Sequence, residues 1–338
     1  MAEVYFKKNM VLEFLCSVIR YARDEEFDKK QNESNYKKYR EIDYWVKSVD
    51  SSISRFLKRE IRILFKWFGI NPMVLTSIII NNNINKIDEF FSFIDKISGE
   101  EYIKILYMEL CIEYPLMEEG LKEKLEAMYD EDEVKFISET IYNPEEALYR
   151  IRYALKNFYY KFFKAKEEIA EDYINKKMTE HQEKFLELED RFTKAVIAMD
   201  KKTLDKYEEA SFYISYFLES GAYALEFIKN HISIVYGFNM EYRFDNAIIE
   251  EKKKLLFKVL ADEKRVEILK LISKRTWYGN ELAKHLGITT ATLSYHISRL
   301  IDIGVVHFEE GENNRFYYKC DTERLKEIFE YALKDIIG

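Results

Sequence analysis

Between Thr289 and Arg299 the chain reads Thr-Thr-Ala-Thr-Leu-Ser-Tyr-His-Ile-Ser-Arg. Leu293, Ile297, Leu300 and Ile301 recur at three- and four-residue steps, so this segment is predicted to be a helix with one buried stripe. Thr290, Ala291, Thr292, Ser294, Tyr295, His296, Ser298 and Arg299 are then assigned to its outward face, which contains no Glu and no Lys. Short hydroxyls and a small Ala near a helix N-terminus permit close approach to base edges and phosphates, while Tyr, His and Arg supply longer donors. The chemistry this pattern suits is recognition of double-stranded DNA. The competing reading is a polar helix facing water.

Such a helix needs elements that hold it. Upstream, Asp262 is a good N-cap for a helix whose Val266, Leu269 and Ile272 share one apolar face. Leu282, Ala283 and Leu286 make a short amphipathic helix that stops at Gly287, where the lack of a Cβ permits a positive φ. Ile288 returns to the core and Thr289 caps the next helix. After Gly304, the apolar Val305, Val306 and Phe308 lead to a turn at Glu309-Glu-Gly-Glu-Asn-Asn314, and Phe316-Tyr-Tyr318 returns as a second strand. The order is helix, turn, helix, hairpin.

At these residues the chain resembles the ArsR-like family of winged helix-turn-helix transcriptional regulators. The resemblance covers roughly residues 250–338 and rests on Leu260-Ala-Asp-x-x-Arg265, Glu281-Leu-Ala283, Ser294-x-His296 and the hairpin ending in Tyr317-Tyr318. It implies operator binding by a homodimer. It places the recognition helix at Thr290 to about Ile303, with Thr290, Ala291, Ser294, Tyr295 and His296 toward the groove and Arg315 as the wing arginine. It also implies a dimer-forming last helix, Glu323 to Ile336, with Leu325, Ile328, Phe329, Ala332, Leu333 and Ile336 as the seam. The chain departs from metal-sensing members: Thr276-Trp-Tyr-Gly-Asn280 carries no thiol and the last helix no His, so neither metal nor cofactor is expected. The wing is acidic, with Glu309, Glu310 and Glu312 beside Arg315, which weakens phosphate binding there.

Composition bounds the rest. The chain has 338 residues, 47% of them hydrophobic, enough for two or three domains with sizeable cores. Its net charge of -8 is uneven: residues 251–338 hold 16 Lys and Arg against 14 Asp and Glu, the remainder 37 against 47. The acidic N-terminal part would be repelled by a duplex. Cys16, Cys111 and Cys320 are far apart in sequence and fit buried, reduced thiols of a cytoplasmic protein. The longest uncharged run, Trp67 to Asn85, is broken by Gly69 and Pro72 and reads as a buried turn and helix, so no membrane partner is expected.

The fold class expected is therefore mainly α: a multi-helix N-terminal domain over residues 1–245 and a winged helix-turn-helix with a β-hairpin wing over 246–338. Apolar stripes from Ile42 to Leu64 and from Leu148 to Phe162 predict long helices. Pro72, Pro115 and Pro144 fit first turns, and Gly99 and Gly120 fit helix ends. Val4-Tyr-Phe6 reads as a short strand before an amphipathic Val11–Tyr21. His231 to Asp245 reads as a hairpin or extended connector. Phe212-Tyr-Ile-Ser-Tyr-Phe217, with Tyr223 and Phe227, reads as an apolar helix whose Ser220-Gly-Ala222 leaves room for a small apolar or aromatic effector; a tightly packed core is the alternative. His181, alone on a charged helix, reads as solvated.

No P-loop, GxGxxG, GxSxG or HExxH occurs, so no catalytic residue and no enzyme activity are expected. The expected function is a DNA-binding regulator acting as a homodimer at an inverted repeat, with the N-terminal part dimerising or sensing. Two alternatives remain open. One is a winged-helix protein-interaction module in a larger assembly. The other is an enzyme fused to a DNA reader.

Overall fold

The computed structural model describes residues 2–25, 39–67, 69–112, 114, 118–228, 230–243, 256–310 and 316–337. They form two compact units, one of Tyr5–Glu180 and Ser211–Phe238, the other of Met1–Val4, His181–Ala210 and Asn239–Gly338.

The larger unit is built mainly from helices, including Met10–Ala22, Arg40–Ser52, Arg55–Phe65, Asn71–Asn81, Ile87–Lys96, Gly99–Glu109, Glu131–Tyr142 and Pro144–Phe158. Local chemistry sets their ends. The stripe from Ile42 to Leu64 splits at Ser54, whose hydroxyl accepts the Leu57 N–H at 3.2 Å. Pro72 and Pro144 sit in first turns, while Pro115 lies outside the described residues. Asp130 and Glu133 form a reciprocal capping box. Gly99 opens its helix, but Gly120 lies inside Glu118–Met128 and ends nothing.

Met10–Ala22 is the centre of this unit, with every residue from Val11 to Tyr21 buried, and it packs on Arg55–Phe65, Asn71–Asn81 and Ile87–Lys96. The Phe14 ring meets Tyr159 at 5.4 Å and Phe163 at 5.3 Å. Its polar residues are buried with partners. The Glu13 carboxylate accepts the N–H groups of Tyr216 at 3.2 Å and Phe217 at 2.9 Å. Burial pushes the Glu13 carboxyl up to about 7, against the lowering effect of these bonds. Arg20 donates to Glu219 at 3.3 Å, both side chains being fully buried.

A four-stranded sheet joins the helices, in the order β1 (Glu3–Lys7), β2 (Glu209–Ser215), β4 (His231–Gly237), β3 (Ala222–Ile228). The strand at Val4–Phe6 is as expected. The helix expected over Phe212–Phe227 is instead two strands, because alternating Ala210, Phe212 and Ile214 serve a buried sheet face as well as a helix stripe. The hairpin partner of His231–Gly237 is Ala222–Ile228, with Ala222 opposite Tyr236, and the segment after Gly237 is a short 3-10 helix, Phe238–Arg243. The aromatic rings pack on one another: Trp45 on Phe217 at 4.4 Å and Tyr173 on Tyr216 at 5.0 Å.

Two further expectations are corrected. His181 is fully buried, its ring 6.1 Å from Phe192; a charged helix still has an inner face. Cys16 and Cys320 are buried but Cys111, at a positive φ, is exposed. Among the described residues no helix is long and apolar enough to cross a membrane.

Candidate nucleic-acid interface

In the smaller unit the elements over residues 263–337 are helix Glu263–Ile272, strand β5 (Trp277–Tyr278), helices Gly279–Leu286 and Thr290–Asp302, strands β6 (Val306–Glu310) and β7 (Phe316–Cys320), and helix Thr322–Ile337. The sheet order is β5-β7-β6, with β6 and β7 antiparallel. The two-residue β5 was not anticipated from sequence. One core joins Ile268, Leu269, Ile272, Leu282, Leu286, Leu293, Ile297, Leu300, Val305 and Val306. Ile268 is in this core although the sequence reading omitted it; Val266 is only half-buried.

The turn before the helix Thr290–Asp302 follows from two residues. Gly287 takes φ 66 and its N–H closes the preceding helix on Ala283 and Lys284. The Thr289 hydroxyl then accepts the Thr292 N–H at 3.1 Å and lies 2.9 Å from the Thr292 hydroxyl. The helix starts at Thr290 as expected and ends at Asp302.

Its outward face is narrower than the sequence reading had it. Ala291, Thr292 and Ser294 are exposed, and Thr290, Tyr295 and Ser298 half-exposed. His296 and Arg299, assigned to this face, are instead 8% and 3% exposed. The reason is helical geometry: His296 stands three residues after Leu293 and four before Leu300, on the buried stripe, and residue polarity misled the assignment. Arg315 lies outside the described residues.

The inward pair supports Tyr295. The Arg299 guanidinium lies 5.4 Å from the Tyr295 ring centre and that of Arg265 5.7 Å, while the His296 ring sits at 5.2 Å. Two cations on one phenol ring restrict its rotamers. Arg265 had no role in the sequence reading beyond motif membership; a contact across thirty residues leaves no periodic signal. Arg299 also reaches Asp302 at 3.4 Å.

The His296 Nδ1 is buried without a hydrogen bond, 3.8 Å from Asp262. Burial holds this imidazole below its ordinary value, opposed by Asp262 and aided by Arg265 and Lys264. A depressed histidine leaves the unfolded state to take the proton first, so its stability contribution is present above about pH 6.5 and lost as pH falls below it. Parent protein is therefore expected to lose unfolding free energy relative to His296→Gln between about pH 7.5 and 5.5. Parallel denaturation curves at both pH values would sink this assignment.

Surrounding cations differ in availability. Arg275 lies on Trp277 at 3.5 Å and pairs with Glu281 at 2.6 Å, which holds the Glu281 carboxyl below its usual range. Lys319 of the wing pairs with Glu309 at 2.8 Å. Lys284 is exposed on the helix before the recognition helix. Among the described residues no group of His, Cys, Asp and Glu could hold a metal ion.

The last helix runs Thr322–Ile337. Its expected seam needs correction: Ile328 is 2% exposed and Leu325 packs beside it on the unit's own core. Among the described side chains of this helix, Phe329, Leu333 and Ile337 are exposed apolar positions, spaced at four residues on one face. The side chains of Ala332 and Ile336 lie outside those described.

A capped three-helix core closed by a two-stranded hairpin, with short hydroxyls on the exposed face of the third helix, defines a winged helix-turn-helix. Residues 262–307 match the family model described as "Bacterial regulatory protein, arsR family", so this region carries an ArsR-family helix-turn-helix, a DNA-binding element of transcriptional regulators. No curated protein and no solved structure matches the chain.

Proposed function

We propose that the protein is a homodimeric transcriptional regulator that reads an inverted-repeat operator through Thr290, Ala291, Ser294 and Tyr295. The observation that carries this reading is the exposed hydroxyl-rich face of the helix Thr290–Asp302, with two guanidinium groups against the Tyr295 ring. Thr289 and Thr292 stand at the helix N-terminus, where a phosphate oxygen is favourably placed. His296 and Arg299 act by holding Tyr295 rather than by touching bases. Arg315 keeps its proposed place on the wing from the family resemblance alone.

Dimerisation is assigned to the last helix. Phe329, Leu333 and Ile337 are 43%, 57% and 71% exposed, a stripe that a twofold partner helix would cover. Two recognition helices would then enter successive major grooves roughly 34–36 Å apart. No enzymatic step is part of this reading, and a cytoplasmic location follows from a genomic target. Control by a small effector of the N-terminal part has its expected place among Phe212, Tyr216 and Phe217; their rings pack on neighbours, which favours the packed-core alternative.

The test is recovery of genomic DNA fragments on the purified protein at two salt concentrations. Selective retention of a palindromic fragment supports the regulator. Retention of no fragment at low salt moves the assignment to a protein-interaction module, the reading favoured by the acidic wing. On a recovered palindrome, Tyr295→Ala is expected to weaken binding by about 1–3 kcal/mol with folding intact. Unchanged affinity in a titration would remove Tyr295 from the reading face.

A further inference from the structure

The order β5-β7-β6 leaves one edge of β6 without a partner from the hairpin, and an unpaired edge exposes a row of N–H and C=O groups. Here a segment about a hundred residues upstream occupies it. The Phe308 N–H donates to the Ala198 carbonyl at 2.6 Å, and Met199 forms a parallel bridge with Phe308. Both are in the same compact unit as the wing. Ala198 and Met199 are each 2% exposed.

Side chains hold the segment beside this bridge. Lys194 lies 3.8 Å from Asp321, the residue after β7, and 3.1 Å from Asp190. The Asp190 carboxylate accepts the Lys201 N–H at 2.7 Å, and Asp200 caps the next turn through the Thr203 N–H at 2.8 Å. The helix Asp190–Ile197 is flanked by two non-glycine residues of positive φ, Glu189 at 44° and Ala198 at 54°. Such conformations persist only where the surroundings enforce them, and they collect at switching segments. Glu189 directly follows the long helix Glu167–Leu188.

We propose that Ile197–Asp200 is a strap that fixes the wing by adding to the free edge of β6, so that its attachment sets the protein's affinity for DNA. The effect on DNA rests on the regulator reading; the attachment itself does not. In this arrangement a change in the helix Asp190–Ile197 reaches the wing through main-chain hydrogen bonds, without any ligand at the hairpin itself.

Two substitutions act on the strap in opposite directions. Met199→Pro forbids the left-handed conformation of Ala198 and releases the bridge. Ala198→Gly adopts that conformation freely and tightens it. The experiment is amide hydrogen exchange of full-length protein at Phe308, with titration of the palindromic duplex from the fragment selection. Met199→Pro is expected to speed exchange at Phe308 at least tenfold while the amides of Thr290–Asp302 keep their protection, and to weaken duplex binding several-fold. Ala198→Gly is expected to slow exchange at Phe308 several-fold, which decides the matter if the proline variant does not fold. Unchanged Phe308 exchange in a folded variant overturns the strap. Faster exchange with unchanged affinity overturns its effect on DNA. If the parent binds no duplex, the regulator reading fails, and exchange alone still decides whether the strap exists.

Discussion

Replacing Phe329 and Leu333 together with glutamate is expected to give a folded monomer and to weaken binding to a palindromic operator about a thousandfold. The two side chains are 43% and 57% exposed, so charge at these positions costs the unit's own core little. Buried against a twofold copy, the same carboxylates would be desolvated without partners, which costs several kcal/mol per site on the order of magnitude of a buried charge. A single winged unit retains contacts to one half-site, hence the large loss. Sedimentation equilibrium and titration of one palindromic duplex measure both effects. A variant that stays dimeric places the interface elsewhere. Ile328→Glu is the contrasting change, because Ile328 is 2% exposed within the core of the unit; it should unfold the winged region rather than separate subunits.

The second large effect lies in the N-terminal part. Gly237→Ala is expected to destabilise the larger unit by about 3 kcal/mol or more. An added Cβ would stand 2.0 Å from the Glu219 carbonyl oxygen and 2.1 Å from its carbon. Neither the end of β4 nor the turn holding Glu219 can move aside cheaply. The Gly237 N–H donates to the Gly221 carbonyl at 2.8 Å, and the register pairs Ala222 with Tyr236. Glu219, at φ 58, is anchored by Arg20 and by the Tyr39 N–H. The loop before it is fixed by the two N–H groups bonded to Glu13. A parental melting temperature in Gly237→Ala would contradict this packing.

The winged helix was readable because its signals are local: a capping Asp262, a stop at Gly287, a capping Thr289 and apolar steps of three and four. Other features depend on contacts remote in sequence. The sheet strand β2 reads as a helix because Phe212, Tyr213 and Ile214 are apolar at consecutive positions, which suits a doubly covered strand and an inner helix equally. Glu13 and Arg20 lie in a segment whose apolar neighbours announce burial, yet their partners at 216–219 are some two hundred residues away.

Within the candidate site, Ala291 and Ser294 are exposed and Tyr295 half-exposed on the helix Thr290–Asp302, the side on which the sequence puts them. His296 and Arg299 are buried instead; their polarity was weighed above their spacing from Leu293 and Leu300. Ile328 is different, because its spacing from Leu325 and Ala332 fits the expected seam and only its tertiary packing turns it to the unit's own core. Arg265 and the strap at Ala198–Met199 had no sequence signal: each depends on tertiary contact, one through a ring face and one through main-chain atoms that any residue carries.

The most direct test of the central claim is the salt dependence of binding to the palindromic duplex, measured for the parent and Tyr295→Ala. A DNA reader releases counterions, so the logarithm of its affinity falls linearly with the logarithm of salt concentration. The account predicts that slope for both proteins, with Tyr295→Ala displaced to weaker binding by about 1–3 kcal/mol and the slope unchanged, as expected of a residue proposed to contact bases rather than phosphates. Affinity independent of salt, or absent for the parent at low salt, would contradict the assignment of this chain as a DNA-binding regulator.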